Sequence, residues 1–380
     1  MGKRLARRQR HPRWHFALSG LLLAGAIALS LYIPWRENAK NGENGQQTAY
    51  PVSTAPPFQA ADAGQLADSL YAGIDSALVE MGLWPELFRK QRREDIDYIE
   101  IGVPADLPLA EANLGISRFA QDLGGQVLGA SQRRGQVEIH CGFKGTATTT
   151  LILTPIAQRR RTGNIAIVLD DFGGGGSGIA ERFCALMQPL TLAVLPNEGH
   201  VTDISAHARN NGHEILVHLP MEPKGKQDPG AGAIGTDHDN GEIRRRVRQA
   251  LQKVPHARGI SNHMGSKATA DERVMHQVLT ELKARNLLFL DSRTTARSLG
   301  YQMAIDMDLV AFNRDLFIDE IDEPEAIESR LWDLAGMAAR TGQAVGIGHD
   351  REATLSALTN VLPRLETRGF RFVPISRLLP

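Results

Sequence analysis

From Asn164 to Pro380, short apolar runs alternate with longer stretches of helical periodicity, and this alternation constrains the fold more than any other feature of the chain. Parallel strands need crossover connections, usually helices, and strands buried on both faces read as near-continuous apolar runs. The runs are Ile165–Leu169, Leu190–Leu195, Glu214–His218, Gly259–His263, Leu287–Leu290, Leu309–Phe312, Ala344–Ile347 and Phe370–Pro374. Helical patterns fall at Glu242–Val254, Asp271–Arg285, Pro324–Thr341 and Thr354–Arg368. This predicts an α/β fold, a compact (β/α) barrel of seven or eight parallel strands, complete or interrupted. A doubly wound open sheet is the alternative.

The residues that end these strands carry the chemistry. In order they are Asp170-Asp171, Pro196-Asn197, His218, Asn262-His263, Asp291-Ser292-Arg293, Asn313-Arg314-Asp315 and His349-Asp350. Parallel βα folds bring their C-terminal strand ends to one face, where active sites sit. Adjacent carboxylates, three histidines and further acids on one rim predict a metal or acid–base site. Each piece alone has a plainer reading: Asp170-Asp171 before Gly173–Gly176 can cap the next helix. The Gly-rich run lacks a following Gly-Lys-Ser/Thr and no GxGxxG fits it well, which argues against nucleotide binding. His218 followed by Glu222 suits a divalent ion held by nitrogen and oxygen. Asp228–Gly241 reads as a mobile loop with a lid role, and His200, His207, His256 and His276 take no role.

The chain's start has a different composition. Lys3, Arg4, Arg7, Arg8, Arg10 and Arg13 precede an uncharged run from Phe16 to Ile33 flanked by Trp14 and Trp35. That run makes about 27 Å of helix, enough to cross the hydrocarbon core with its basic side in the cytoplasm. Residues 1–15 then form a basic cytoplasmic end and 16–35 an anchor in the inner membrane, with the bulk in the periplasm. The alternative is a cleaved signal peptide ending near Ala26-Ile27-Ala28, which secretes the chain to the periplasm. Residues 36–64 read as a linker and 65–157 as a small α+β domain, with Gln158–Gly163 as a hinge. Lys+Arg 43 against Asp+Glu 43 argues against a generic nucleic-acid binder. Cys141 and Cys184, in different domains, read as two buried thiols.

Leu169-Asp170-Asp171, Gly212 to Glu222 (GHEILVHLPME), Asn262-His263-Met264-Gly265-Ser266, Phe289 to Thr294 (FLDSRT) and Gly346-Ile347-Gly348-His349 occur in this order. Together they resemble the divergent polysaccharide deacetylase family, an offshoot of the NodB-like carbohydrate esterases acting on chitin and peptidoglycan. The resemblance covers 164–380 and implies a distorted (β/α) barrel, a divalent metal, usually Zn²⁺, and an N-acetylated cell-wall glycan as partner. It implies Asp170 as catalytic base, Asp171 and His218 as metal ligands, and His349 as general acid. Glu222 stands where the parent esterases have a second histidine, and their Arg-x-Pro-Tyr motif is replaced by Asn262-His263-Met264-Gly265. His263 is therefore expected as third ligand, with Glu222 beside the ligands or as their alternative. Asp291 is expected to hold His349 in its useful tautomer, and Asn262, Ser292 and Arg293 to contact substrate. The implied activity is metal-dependent deacetylation of envelope polysaccharide. The competing expectation is an inactive glycan-binding or scaffold protein on the same fold.

Overall fold

A computed structural model describes residues 59–93, 96–174 and 177–379. The segments 1–15 and 16–35, and most of the 36–64 linker, lie outside the described residues. Among the described residues no helix is long and apolar enough to cross a membrane.

The first described elements form a five-stranded sheet carrying two helices. Helix α1 (Ala63–Glu80) starts where the Asp62 side chain accepts from Gln65 N, and buries Leu66, Leu70, Ile74 and Leu78, one residue per turn. Strands β1 (Phe88–Gln91) and β2 (Asp97–Pro104) precede α2 (Leu109–Asp122). A meander of β3 (Gln126–Arg133), β4 (Gln136–Phe143) and β5 (Thr146–Ile156) completes the order β1-β2-β5-β4-β3. The stretch 158–163, expected as a hinge, is fastened. Arg160 pairs with Asp106 at 3.0 Å, and the Trp84 indole donates to Arg161 O at 3.2 Å. Trp84 itself is buried edge-on to Phe370, 6.0 Å between centroids, in the core of the second sheet.

That second sheet is entirely parallel. It contains β6 (Asn164–Phe172), β7 (Thr191–Val194), β8 (Glu214–Met221), β9 (Gly259–Met264), β10 (Leu288–Asp291), β11 (Ala311–Asn313), β12 (Leu316–Phe317), β13 (Gln343–His349) and β14 (Arg371–Phe372). Its path runs β11-β10-β9-β8-β7-β6-β13-β12, with β14 beside the start of β6. Intervening helices are α3 (Ser177–Cys184), α4 (Val201–Asn210), α5 (Asn240–Lys253), α6 (Glu272–Lys283), α7 (Gly300–Asp306), α8 (Pro324–Thr341) and α9 (Glu352–Thr367). The sheet curls as a parallel half-barrel, and its two end segments, β11 and β12, are consecutive in the chain. Between them Arg314 N donates to Asp291 O and Asp315 N to Val345 O, so one kinked stretch reaches both flanks.

Both faces of this sheet are buried, and the period-two alternation sorts its residues between two cores. Ile165, Ile167, Leu169, Ile215, Val217, Leu219 and Phe289 pack under the helices. Ala166, Val168, Ala193, Leu216, Leu290, Phe312, Val345 and Ile347 fill the inside of the curl, together with Ile375 and Leu378 from the C-terminal segment. Continuing the inner columns by two residues leads from Val168 to Asp170, Leu216 to His218, Leu290 to Ser292 and Ile347 to His349. The apolar filling thus gives way to polar groups at the C-terminal strand ends.

Candidate metal centre and acid–base groups

Asp170 and Asp171 are consecutive, so a regular strand would send their side chains to opposite faces. Two features prevent this. The β6–β7 register breaks between Leu169 and Phe172, and Asp171 has φ of 71°, in the left-handed region that Asp tolerates better than most residues. Asp170 keeps the inner position, and Asp171 turns toward the same mouth.

Three donor atoms meet there. Asp171 Oδ1 lies 3.2 Å from His218 Nε2 and 2.9 Å from His263 Nδ1, and the two ring nitrogens are 3.2 Å apart. The trio is a possible Asp/His/His metal site. Asp171 Oδ1 is buried and, despite these distances, makes no well-aligned hydrogen bond. Three donor atoms this close, one of them a buried carboxylate oxygen without a hydrogen-bond partner, fit a divalent cation, and two imidazoles with one carboxylate fit zinc's ligand chemistry. Burial would raise the Asp171 carboxyl, but the close approach and charge of His218 and His263 hold it well below the usual carboxylate range.

Around the trio the mouth is rich in acids. Asp170 is buried, and its Oδ1 has no hydrogen-bond partner and stands 3.6 Å from His218 Nδ1. Burial pushes its carboxyl up, against the charges of His218 and His349. Burial and the field of Asp171 push Asp350 up to about 6. A half-buried mouth with this excess of negative groups favours a cation.

His349 ends β13 in register with Asp170. The expected partner Asp291 does not hold it. Asp291 instead accepts from Ser298 Oγ at 2.7 Å, Tyr301 N at 3.1 Å and Arg293 N at 2.9 Å, fixing the turn after β10. The contact is made by Asp319, a residue the sequence reading passed over. Asp319 Oδ1 is 2.9 Å from His349 Nδ1, and Oδ2 accepts from His349 N at 2.6 Å and Thr354 Oγ1 at 2.8 Å. Burial lowers the His349 pKa, but the Asp319 hydrogen bond and charge, with Asp170 and Asp171 behind, raise it on balance. The ring also stacks on Phe317, 5.8 Å between centroids.

Glu222 stands apart from the trio. Its carboxylate accepts from Thr236 N at 2.7 Å and Thr236 Oγ1 at 2.8 Å, and pairs with Lys267 at 2.5 Å, which together outweigh desolvation and hold its pKa down at about 2. These bonds tie down the stretch expected to be a lid. Ile234 bridges to Met221, Arg246 donates to Ala233 O at 2.6 Å, and Arg273 donates to Thr236 O and His238 O. Asn262, expected to touch substrate, is buried and spends its amide on Met264 O and Ser292 N, bracing β9 against β10. Ser292 is buried with its hydroxyl unpartnered, and Arg293 is exposed at the rim.

Fold and site together define a parallel α/β half-barrel with a possible Asp/His/His metal centre and an Asp–His pair at its C-terminal strand ends. A family profile, divergent polysaccharide deacetylase, matches residues 167–379, and the chain belongs to that family. It is 34% identical over 223 residues to the uncharacterized protein YibQ of Escherichia coli (strain K12), covering 59% of this chain and 70% of that protein. An uncharacterized protein of Haemophilus influenzae (strain ATCC 51907 / DSM 11121 / KW20 / Rd) is 31% identical over 194 residues, 51% of this chain and 69% of its own length. The crystal structure of an uncharacterized Agrobacterium tumefaciens C58 protein, ATU2773, superposes with a TM-score of 0.56 at 26% identity, covering 58% of this chain and 90% of that one.

Proposed function

We propose that this chain is a metal-dependent hydrolase that removes acetyl groups from an N-acetylated polysaccharide of the cell envelope, of the peptidoglycan or chitin type. The observation that carries this reading is the convergence of Asp171, His218 and His263 on one point, with a buried carboxylate and a paired histidine on the same rim. Asp171, His218 and His263 would hold the ion, zinc by ligand chemistry. Such an ion supplies Lewis acidity toward an amide carbonyl and acidifies a water. Asp170, whose carboxyl burial makes more basic, takes the proton from the attacking water. His349, held by Asp319, whose hydrogen bond and charge favour its protonated form, gives a proton to the departing amine nitrogen as the C–N bond breaks. Acetate and a free sugar amine result. Arg293, exposed at the rim, and Ser292 beside it would contact the substrate. An anchor at 16–35, or a cleaved leader there, would deliver the domain to the periplasm.

The full chain should bind one equivalent of zinc, and Asp171→Asn and His218→Ala should each abolish binding and acetate release from N-acetylated oligosaccharides. A wild-type protein that takes up no metal after supplementation overturns this reading. The second reading, an inactive glycan-binding scaffold, draws on Glu222, which holds a loop where the parent esterases place a ligand. It prevails if zinc-loaded protein binds acetylated glycan and releases no acetate.

A further inference from the structure

We propose that Ser261 is a positioning residue for the candidate metal centre: its hydroxyl fixes His218 so that Nε2 faces the ion, and thereby leaves Asp170 free to act as base. The inference rests on the metal-site reading above.

Ser261 is fully buried on β9 and pairs in register with His218 on the neighbouring strand β8. Residues in register on adjacent strands project from the same face, so sheet geometry alone sets the two side chains shoulder to shoulder. Ser261 Oγ lies 2.8 Å from His218 Nδ1. Asp170 Oδ1, the other oxygen near that nitrogen among the described residues, is 3.6 Å away, beyond hydrogen-bond range. An imidazole ligand presents one nitrogen to the ion and keeps a proton on the other, and the partner of that proton fixes tautomer and ring angle. Ser261 is that partner. With Nδ1–H given to Ser261, the Nε2 lone pair points toward Asp171 Oδ1 and His263 Nδ1.

The choice of a hydroxyl has a second effect. A carboxylate on Nδ1 would tie up an acid, and the nearest acid is Asp170. Because Ser261 accepts the Nδ1–H hydrogen bond, Asp170 Oδ1 remains unpartnered in its buried position. One strand therefore carries both devices. Ser261 and His263, two residues apart on β9, face the same side; the first holds one ligand and the second is another.

The test is zinc affinity, measured by competition with a chromophoric chelator, in full-length wild type, Ser261→Ala and Ser261→Thr. A protein-held outer partner is worth about 10–100-fold in metal affinity, so Ser261→Ala should weaken binding by that factor while Ser261→Thr, which keeps the hydroxyl, stays near wild type. Long-range ¹H–¹⁵N spectra of zinc-loaded, histidine-labelled protein should show His218 protonated at Nδ1 in wild type and Ser261→Thr. In Ser261→Ala the Nδ1 proton should exchange faster or turn toward Asp170. Thermal melts of the metal-free variants guard against misfolding. Wild-type zinc affinity and an unchanged His218 signal in Ser261→Ala overturn the proposal and leave the metal site standing. Absence of zinc binding by wild type overturns both.

Discussion

Replacing Asp319 by Asn should cost both stability and turnover, in a pattern set by pH. The carboxylate is fully buried and faces His349, whose side chain is 24% exposed. Breaking a fully buried ion pair costs about 3–5 kcal/mol, and partial exposure of one member screens it, so about 2–3 kcal/mol is expected here. With Tm moving about 2–4 °C per kcal/mol in large domains, the melting point should fall by roughly 4–12 °C near neutral pH. Asp319 has a depressed pKa in the fold, so its contribution is present above the unfolded carboxyl value and is lost as pH falls through the folded value. His349 has a raised one, so its contribution is present below the unfolded imidazole value and is lost as pH rises through the folded value. The gap between wild type and Asp319→Asn should therefore be widest at weakly acidic to neutral pH and narrow on either side. Turnover should fall by about 100-fold or more, the worth of a positioned general acid, with zinc affinity unchanged. Calorimetric melts across pH, paired with acetate release, read both effects. A stability gap that is flat with pH, or that widens in alkali, refutes the charge-pair argument.

Glu222→Gln should leave zinc affinity well within the ~10-fold loss shown by ligand-orienting groups, because its bonds run to Thr236 and Lys267; chelator competition checks this, and proteolysis should instead open the 222–239 stretch. Cys141 and Cys184 are buried, free and pushed up to about 11 by desolvation, so neither should react with a thiol reagent at pH ~8 until the protein is unfolded. Trp84→Ala should cost about 3–5 kcal/mol, seen as a lowered melting point and faster cleavage around 158–163, because it removes an indole shared with the parallel sheet's core.

Strand ends were the most legible part of the sequence, because in a sheet buried on both faces any polar residue that follows an apolar run must lie at the rim. That logic reached Asp170, Asp171, His218, His263 and His349. It missed Asp319 because Asp319 opens the acidic stretch Asp319–Glu325, broken only by Ile321 and Pro324, which reads as a solvated loop. Only its first acid is buried, after the two-residue strand β12, too short to show a period. Ser261 escaped notice for a related reason: a small hydroxyl inside a strand carries no spacing signal until register places it beside His218. The lid reading of Asp228–Gly241 followed glycine content, while the fastening comes from Glu222, Arg246 and Arg273, which lie outside that stretch in the chain. Helices α3, α4 and α7, of 8, 10 and 7 residues, are too short for periodicity to declare them.

The positive φ at Asp171 also bears on how this site can drift over evolutionary time. Gly, Asn and Asp adopt that backbone at less cost than most residues, and of the three only Asp brings a carboxylate. On the metal-site reading, a descendant that lost the ion could take Asn or Gly at 171 at little backbone cost, whereas Ala or Ser would add some strain to the loss. The residue at this single position, read in any relative aligned here, thus becomes a compact signature. On that reading, Asp here is necessary for a lineage that holds the ion, and Asn or Gly would mark one that has kept the fold and lost a ligand.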